Sequence, residues 1–211
     1  MPSITKPVVV FALAAVACVF LAPTAPLSAQ EGSMESPEPT IERVTLESPK
    51  APQVAFHLFF DVGSIHDPEG REGLAALTAF MVGQAGTQKH YYKELVDALY
   101  PMAADLNVSV EREATVISGE VHRDTLDEYT KLLTEVILEP GFSESDFRRN
   151  REQLLSYLTT TLRATNDELL GLEAIQAEVF EGHPYAHPAA GTVEGLESLT
   201  LDDVEKFYKE H

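Results

Sequence analysis

At 211 residues the chain is long enough to bury a sizeable core, as one large domain or two small ones. Its 34 acidic against 15 basic residues leave a net charge of −19, which repels nucleic-acid phosphates and anionic membrane surfaces and excludes either as a main partner. A hydrophobic content of 44% and a charged content of 23% are those of an ordinary globular protein.

Lys6 precedes an uncharged apolar run from Val8 to Ala22, followed by Pro23 and the small-residue end Leu27-Ser28-Ala29-Gln30. This is a basic n-region, an h-region of bacterial type and an Ala-type cleavage site, too short for a comfortable membrane span. Residues 1–29 are therefore expected to be a signal peptide, with the mature chain periplasmic or secreted and without an integral membrane segment. The only cysteine, Cys18, lies inside that segment. Ala15-Val16-Ala17-Cys18 departs from a lipoprotein box, because apolar residues continue past the cysteine. The mature chain then has no disulfide, no thiolate nucleophile and no Cys-ligated metal.

Residues 30–52 read as a flexible acidic leader with a possible short edge strand at Ile41–Leu46. Residues 53–211 read as the folded domain, truncated at its C-terminal end. Val54, Phe56, Leu58, Phe60 and Val62 alternate at period two and predict a strand. Ala55, His57, Phe59 and Asp61 make its other face, expected to be partly covered. Gly73 to Val82 is apolar nearly all round and predicts a buried helix. His90 to Leu99 predicts a second helix. Leu106–Val110 and Thr115–Val121 predict two strands joined by the charged turn Glu111-Arg112-Glu113.

From Thr125 the pattern becomes helical, with Leu126, Tyr129, Leu132, Leu133, Val136 and Ile137 at period 3.6 until Pro140-Gly141. Ser143 with Asp146 opens a helix running through Leu154, Leu155 and Leu158. Thr165 with Glu168 resembles a capping box for the next, ending at Gly182, and Thr200 with Asp203 starts a last helix. Strands followed by a run of helices indicate an α+β domain, a mainly antiparallel sheet flanked by helices.

Taken in order, several short motifs resemble the pitrilysin/insulinase family of zinc metallopeptidases, the inverted H-x-x-E-H zincins. Gly63-Ser64, Gly73-Leu74-Ala75 and Gly86-Thr87 match the frame around that family's zinc helix. Leu106-Asn107-Val108-Ser109 and Glu113-Ala114-Thr115 resemble its N-A-x-T and E-x-T strand pair. His183-Pro184-Tyr185, His187-Pro188 and Gly191-Thr192 resemble its H-P-Y-G loop, and Leu199–Val204 with Phe207-Tyr208 the helix that follows. The resemblance implies one half-repeat of a bilobal clamshell.

It also implies zinc, held by histidines one helical turn apart with a glutamate before the second as the base. Here Ala76 and Phe80 fall at the histidine positions and Ala79 at the glutamate, while the third ligand, a glutamate in the family, falls near Ser156 and Tyr157. Gly73 to Thr87 contains no His, Glu, Asp or Cys, so no shift of register restores the motif. Neither catalytic nor metal residues, nor a bound cofactor, are expected on this chain.

His183 and His187 are four apart, but Pro184 and Pro188 oppose a helical metal pair. His57, Asp61 and His66 are close in sequence and form a second, weaker candidate cluster. What the resemblance leaves is the strand edge, where the family takes an extended peptide as an added strand, with Asn107, Val108 and Ser109 as the peptide-binding candidates. The reading that follows is a secreted, non-catalytic family member. It pairs with a zinc-bearing subunit or second repeat and binds extended peptide substrate. The alternatives are a piece of an active zinc metalloendopeptidase whose motif lies in a missing repeat or another subunit, and a structural scaffold subunit.

Overall fold

Alternation along β1 (Gln53–Phe60) sets the sheet. The computed structural model describes residues 42–48 and 50–211; the segment read as a signal peptide and most of the expected leader lie outside them. β1 pairs antiparallel with β3 (Thr115–His122), in register from Gln53↔His122 to Phe60↔Thr115. β3 pairs antiparallel in turn with β2 (Asn107–Val110), from Asn107↔Ser118 to Val110↔Thr115. The order is β1-β3-β2, so β2 is an edge strand. Ile117 and Val121 are buried on the inner face beside Val54, Phe56, Leu58 and Phe60. The outer face differs from expectation: Gln53, Ala55, His57 and Phe59 are exposed, Phe59 to 71%. An aromatic at an alternating position signals a strand without signalling cover on its own side.

Helix α1 (Leu74–Gly83) is the buried apolar helix read from sequence, with Leu77 and Met81 wholly inaccessible. It packs against β2 and the helices α3 (Leu126–Leu138), α4 (Glu144–Ser156) and α8 (Leu201–Glu210). Its N-cap, Gly73, has φ of +105°, where a side chain would be strained and where no side chain is available to cap. Asp67 supplies the cap instead, accepting from Gly73 N and Ala75 N at 2.7 Å each. That fixes the helix start from six residues upstream, with a carboxylate at the positive end of the dipole.

Burial pushes the Asp67 carboxyl up to about 6 from 3.8, with the two backbone hydrogen bonds pulling the other way. A carboxyl whose folded pKa is raised binds its proton more tightly when folded. Its contribution is therefore complete below about pH 4 and is lost as pH rises through 6. Asp67→Asn cannot titrate, and it leaves one of the two N–H groups unpaired, a cost of about 1–3 kcal/mol at every pH. Between pH 4 and 7 the stability of the wild type relative to this variant should fall by roughly 2–3 kcal/mol in urea unfolding. Parallel pH profiles would refute it.

Gly83 ends α1 where β2 crosses it. A Cβ there would drive into Val108 Cγ2, a branched side chain with little freedom to turn aside. Gly83→Ala should cost about 1–3 kcal/mol by overpacking. Gly171→Ala, in α6 (Asp167–Val179) and meeting nothing within 4 Å, should stabilise by about 0.5–1 kcal/mol. Equal midpoints in urea for the two variants would remove the claim that α1 and β2 are in closest approach at Gly83.

The remaining elements follow the expected order with local shifts. Helix α2 is Tyr92–Leu99. Ser143 caps α4, its side chain accepting from Asp146 N, and Thr200 with Asp203 forms the capping box of α8. After α4 the chain continues as a π-helical segment, Tyr157–Leu162, and a turn of helix, α5 (Arg163–Thr165). Helix α6 is capped by Asn166, which accepts from Leu169 N at 3.0 Å, and it ends at Val179, short of Gly182. The expected cap, Thr165, donates its hydroxyl back to Thr161 O at 2.7 Å. Asn ranks above Thr as an N-cap, so the stronger of the two neighbours serves. Helix α7 is Val193–Ser198.

Glu42–Leu46 form no strand, with Val44 and Leu46 exposed; Ile41 lies outside the described residues. Among the described residues no helix is long and apolar enough to cross a membrane.

Candidate functional site

The site lies along the outer edge of β2. Glu111 N donates to Ala114 O at 2.8 Å and Asp105 N to Glu120 O at 3.1 Å. These continue the register that pairs Asn107 with Ser118 and Ser109 with Val116. In an antiparallel ladder such bonded pairs alternate with pairs whose backbone groups face away from each other. The N–H and C=O of Asn107 and Ser109 are thus committed to β3, while those of Val108 and Val110 point to the free edge. Of the three predicted peptide-binding residues, Val108 presents its backbone outward. Val108 and Ser109 border the cavity described next, and Asn107 is exposed at the start of the strand.

A cavity of about 460 Å³ opens on that edge. β2 contributes Val108 to Val110 and the following Glu111. Helix α1 supplies Ala76 and Phe80, four apart and so on one face. Helix α4 supplies Gln153 and Leu154, and Tyr157 opens the π-helical segment on the same side. Glu173 of α6 and Pro188–Ala190 close the far rim. Both positions matched to the family's histidines therefore meet the matched third-ligand position, Tyr157, in one cavity. Ala79 lines a different one, beside Phe207 and His211. Ser156 is exposed.

Asn150, one turn before Gln153's neighbour Leu154 on α4, is buried and donates to Phe80 O at 3.3 Å. Its Oδ1 has no partner among the described residues. Periodicity would have found Gln153, four before Tyr157 on the same helical face. Glu173 and Pro188–Ala190 come from segments distant in sequence and carry no local signal.

The rim is braced by charge. Arg112, in the β2–β3 turn, pairs with Glu173 at 3.0 Å; both are largely buried, at 22% and 17% side-chain exposure. The same guanidinium donates to Gln176 and, at 3.4 Å, to Tyr185 O. Tyr185 donates to Glu113, and that hydrogen bond raises its phenol pKa. Backbone bonds from Ser64 N to Glu111 O and Ile65 N to Arg112 O, at 3.1 and 2.9 Å, fix the other side of the turn. The turn that follows β2 is thus anchored on both of its sides.

Zinc, implied by the resemblance, does not fit these residues. Ala76 and Phe80 have no donor atoms, and the Tyr157 phenol is a lone candidate ligand beside them. Among the described residues no group of three or more His, Cys, Asp or Glu could hold a metal. His183 accepts from Tyr185 N at 3.2 Å and His187 donates to Pro188 O at 3.0 Å, so each serves its own turn. His57 stands on the exposed sheet face, and His66 accepts from Gly63 N at 3.2 Å.

Residues 43–193 match the family model described as Insulinase (Peptidase family M16). The mitochondrial-processing peptidase subunit beta of Caenorhabditis elegans is 22% identical over 169 residues, 80% of this chain and 36% of that one. The non-peptidase homolog YmxG of Helicobacter pylori is 26% identical over 155 residues, 74% of this chain and 35% of that one. This chain thus spans about a third of the length of those relatives. The fold is similar to the peptidase M16 inactive domain from Pseudomonas fluorescens, with a TM-score of 0.69 and 23% identity over 77% of this chain and 39% of that one. It is also similar to pitrilysin, with a TM-score of 0.67 and 24% identity over 78% of this chain and 18% of that one.

Proposed function

Because the chain belongs to the insulinase family, peptidase family M16, we propose that it is a non-catalytic half that holds extended peptides for a zinc-bearing partner. One observation carries the reading: the positions matched to the metal ligands converge beside an open strand edge, yet hold a methyl, a benzyl ring and a phenol. The edge survives such replacement, because strand addition uses backbone groups. Likeness to an M16 domain described as inactive, and to a non-peptidase homolog, supports the non-catalytic part. Relatives named as subunits, among them cytochrome b-c1 complex subunit 1 of Caenorhabditis elegans, support a partner. The signal-type N-terminus supports a periplasmic or secreted setting.

Hydrogen exchange on the full chain, with and without an unstructured peptide, tests the reading. Val108 and Val110 amides, free in the edge, should slow on adding peptide. Asn107 and Ser109, already bonded to β3, should change little. Unchanged exchange at Val108 and Val110, or cleavage of the peptide by the chain alone, would overturn it.

A further inference from the structure

We infer that the outward face of α6 is a docking surface for a partner protein, which sets against it an amphipathic helix whose apolar seam is flanked by Lys and Arg. The surface lies apart from the β2 edge, so this goes beyond the peptide-holding reading and does not depend on it. Helix α6 carries apolar residues on two sides. On the inner side Leu169 and Leu170 pack on the core. On the outer side Leu172, Ile175 and Val179 are 51%, 63% and 68% exposed. Spacings of three and four place these three within about 60° of one another around the helix axis. Single apolar residues on a surface mean little, whereas a continuous row of them marks a contact site. This row has the spacing of the seam by which one helix takes another.

The helix cannot turn the row inward. Its inner side is fixed by Arg112, which pairs with Glu173 at 3.0 Å and donates to Gln176. At its C-terminal end the Phe180 ring meets Tyr185 edge-on, with centroids 5.4 Å apart. Rolling α6 to bury Ile175 would break an ion pair largely withdrawn from water, and breaking such a pair is strongly destabilising. The row is therefore held outward in the free chain, and a partner meets a surface that is already ordered.

Charge selects that partner. Between Arg163 and Lys206 the chain carries ten Asp and Glu and no Lys or Arg. Glu168 heads the row one turn before Leu172, and Asp167 and Glu178 lie along one flank. Glu181 follows the last turn. All four are exposed and in no ion pair among the described residues. A second copy of the chain set on the row would bring these carboxylates against their equals, which disfavours self-association. An anionic membrane is repelled in the same way. A helix with Lys or Arg beside its own apolar seam complements both the row and its flank.

The test is fluorescence anisotropy on the full chain with labelled, end-capped helical peptides three heptads long. One has Leu at the seam and Lys beside it, a second has Glu in place of Lys, and a third has the composition of the first in scrambled order. The first should bind about 10- to 100-fold tighter than either of the others. Its advantage over the Glu peptide should shrink as salt rises, and its advantage over the scrambled one should persist. Ile175→Gln with Val179→Gln, both at exposed positions, should cost about 10-fold or more in binding and leave the circular dichroism unchanged. Glu168→Lys with Glu178→Lys should turn the preference toward the Glu peptide. Equal binding of the first and scrambled peptides would show attraction by charge alone and overturn the docking surface. Binding that the Gln substitutions leave intact would place the contact elsewhere and overturn it. A chain that sediments as a dimer, and as a monomer once Ile175 and Val179 are Gln, would make a second copy the occupant and overturn the basic partner. No binding by the first peptide would overturn it as well. None of these substitutions touches β2, so each failure leaves the exchange of Val108 and Val110 to judge the peptide-holding reading by itself.

Discussion

Val108→Pro is expected to leave the domain folded and to weaken peptide binding by about 10- to 100-fold, whereas Ser109→Pro is expected to unfold the edge strand. The two positions are adjacent, equal in strand and opposite in hydrogen bonding. Val108 N–H faces the free edge, so proline there removes an outward donor and keeps the ladder to β3. An incoming peptide then leaves one carbonyl unpaired and meets the pyrrolidine ring. Ser109 sits in a bonded pair with Val116, so proline there breaks a ladder bond and leaves the Val116 carbonyl without its donor, a cost of about 1–3 kcal/mol before any steric term. Urea unfolding and peptide anisotropy on both variants separate the two effects. If Val108→Pro binds peptide normally, strand addition at this edge is wrong. If it unfolds as readily as Ser109→Pro, the assigned ladder phase is wrong.

That contrast depends on information the sequence holds only in part. Alternation from Val54 to Val62 located β1, because one side of the strand is buried and the other is not. The same alternation could not tell that Phe59 faces outward, since composition marks strand character and not cover. Helix α1 was legible because a helix without a polar face has nowhere to go but inside. The possible edge strand at Ile41–Leu46 shows no pairing over its described part, Glu42–Leu46, for the complementary reason: a strand is completed by its partner, and no partner is written in so short a segment.

The site divides the same way. Ala76 and Phe80 share a helical face by spacing alone, and the family frame placed Tyr157 against them. The π-helical turn that carries Tyr157 has no residue signature, and it was read as ordinary helix. Which of Asn107, Val108 and Ser109 offers its backbone was invisible, because ladder phase is fixed across the turn by Glu111 and Ala114 and not by residue type. Asp67 escaped notice as a cap for the corresponding reason: it reaches the helix from outside the usual capping window.

Rebuilding the lost ligands gives a large and discriminating expected result. Ala76→His, Ala79→Glu and Phe80→His together should bind zinc weakly, and adding Tyr157→Glu should tighten binding by about 100-fold or more. Even outer-shell partners of a metal ligand are worth about 10- to 100-fold, and a ligand itself more. The first and third substitutions place imidazoles one turn apart in the cavity, where Tyr157 is the matched third position. Ala79 faces elsewhere, so its glutamate supplies no ligand. Burying two imidazoles and a carboxylate in an apolar pocket costs stability until an ion joins them. The fourfold variant should therefore melt below the wild type without metal and recover with it, by about 2.7 kcal/mol when zinc is at 100 times its Kd. Calorimetric titration and zinc-dependent melting read both effects. Tight stoichiometric zinc in the threefold variant would move the third ligand away from Tyr157. A fourfold variant that gains nothing would show that α1 and the π-helical segment do not converge on one ion, and the match of this cavity to the family's metal site would fail with it.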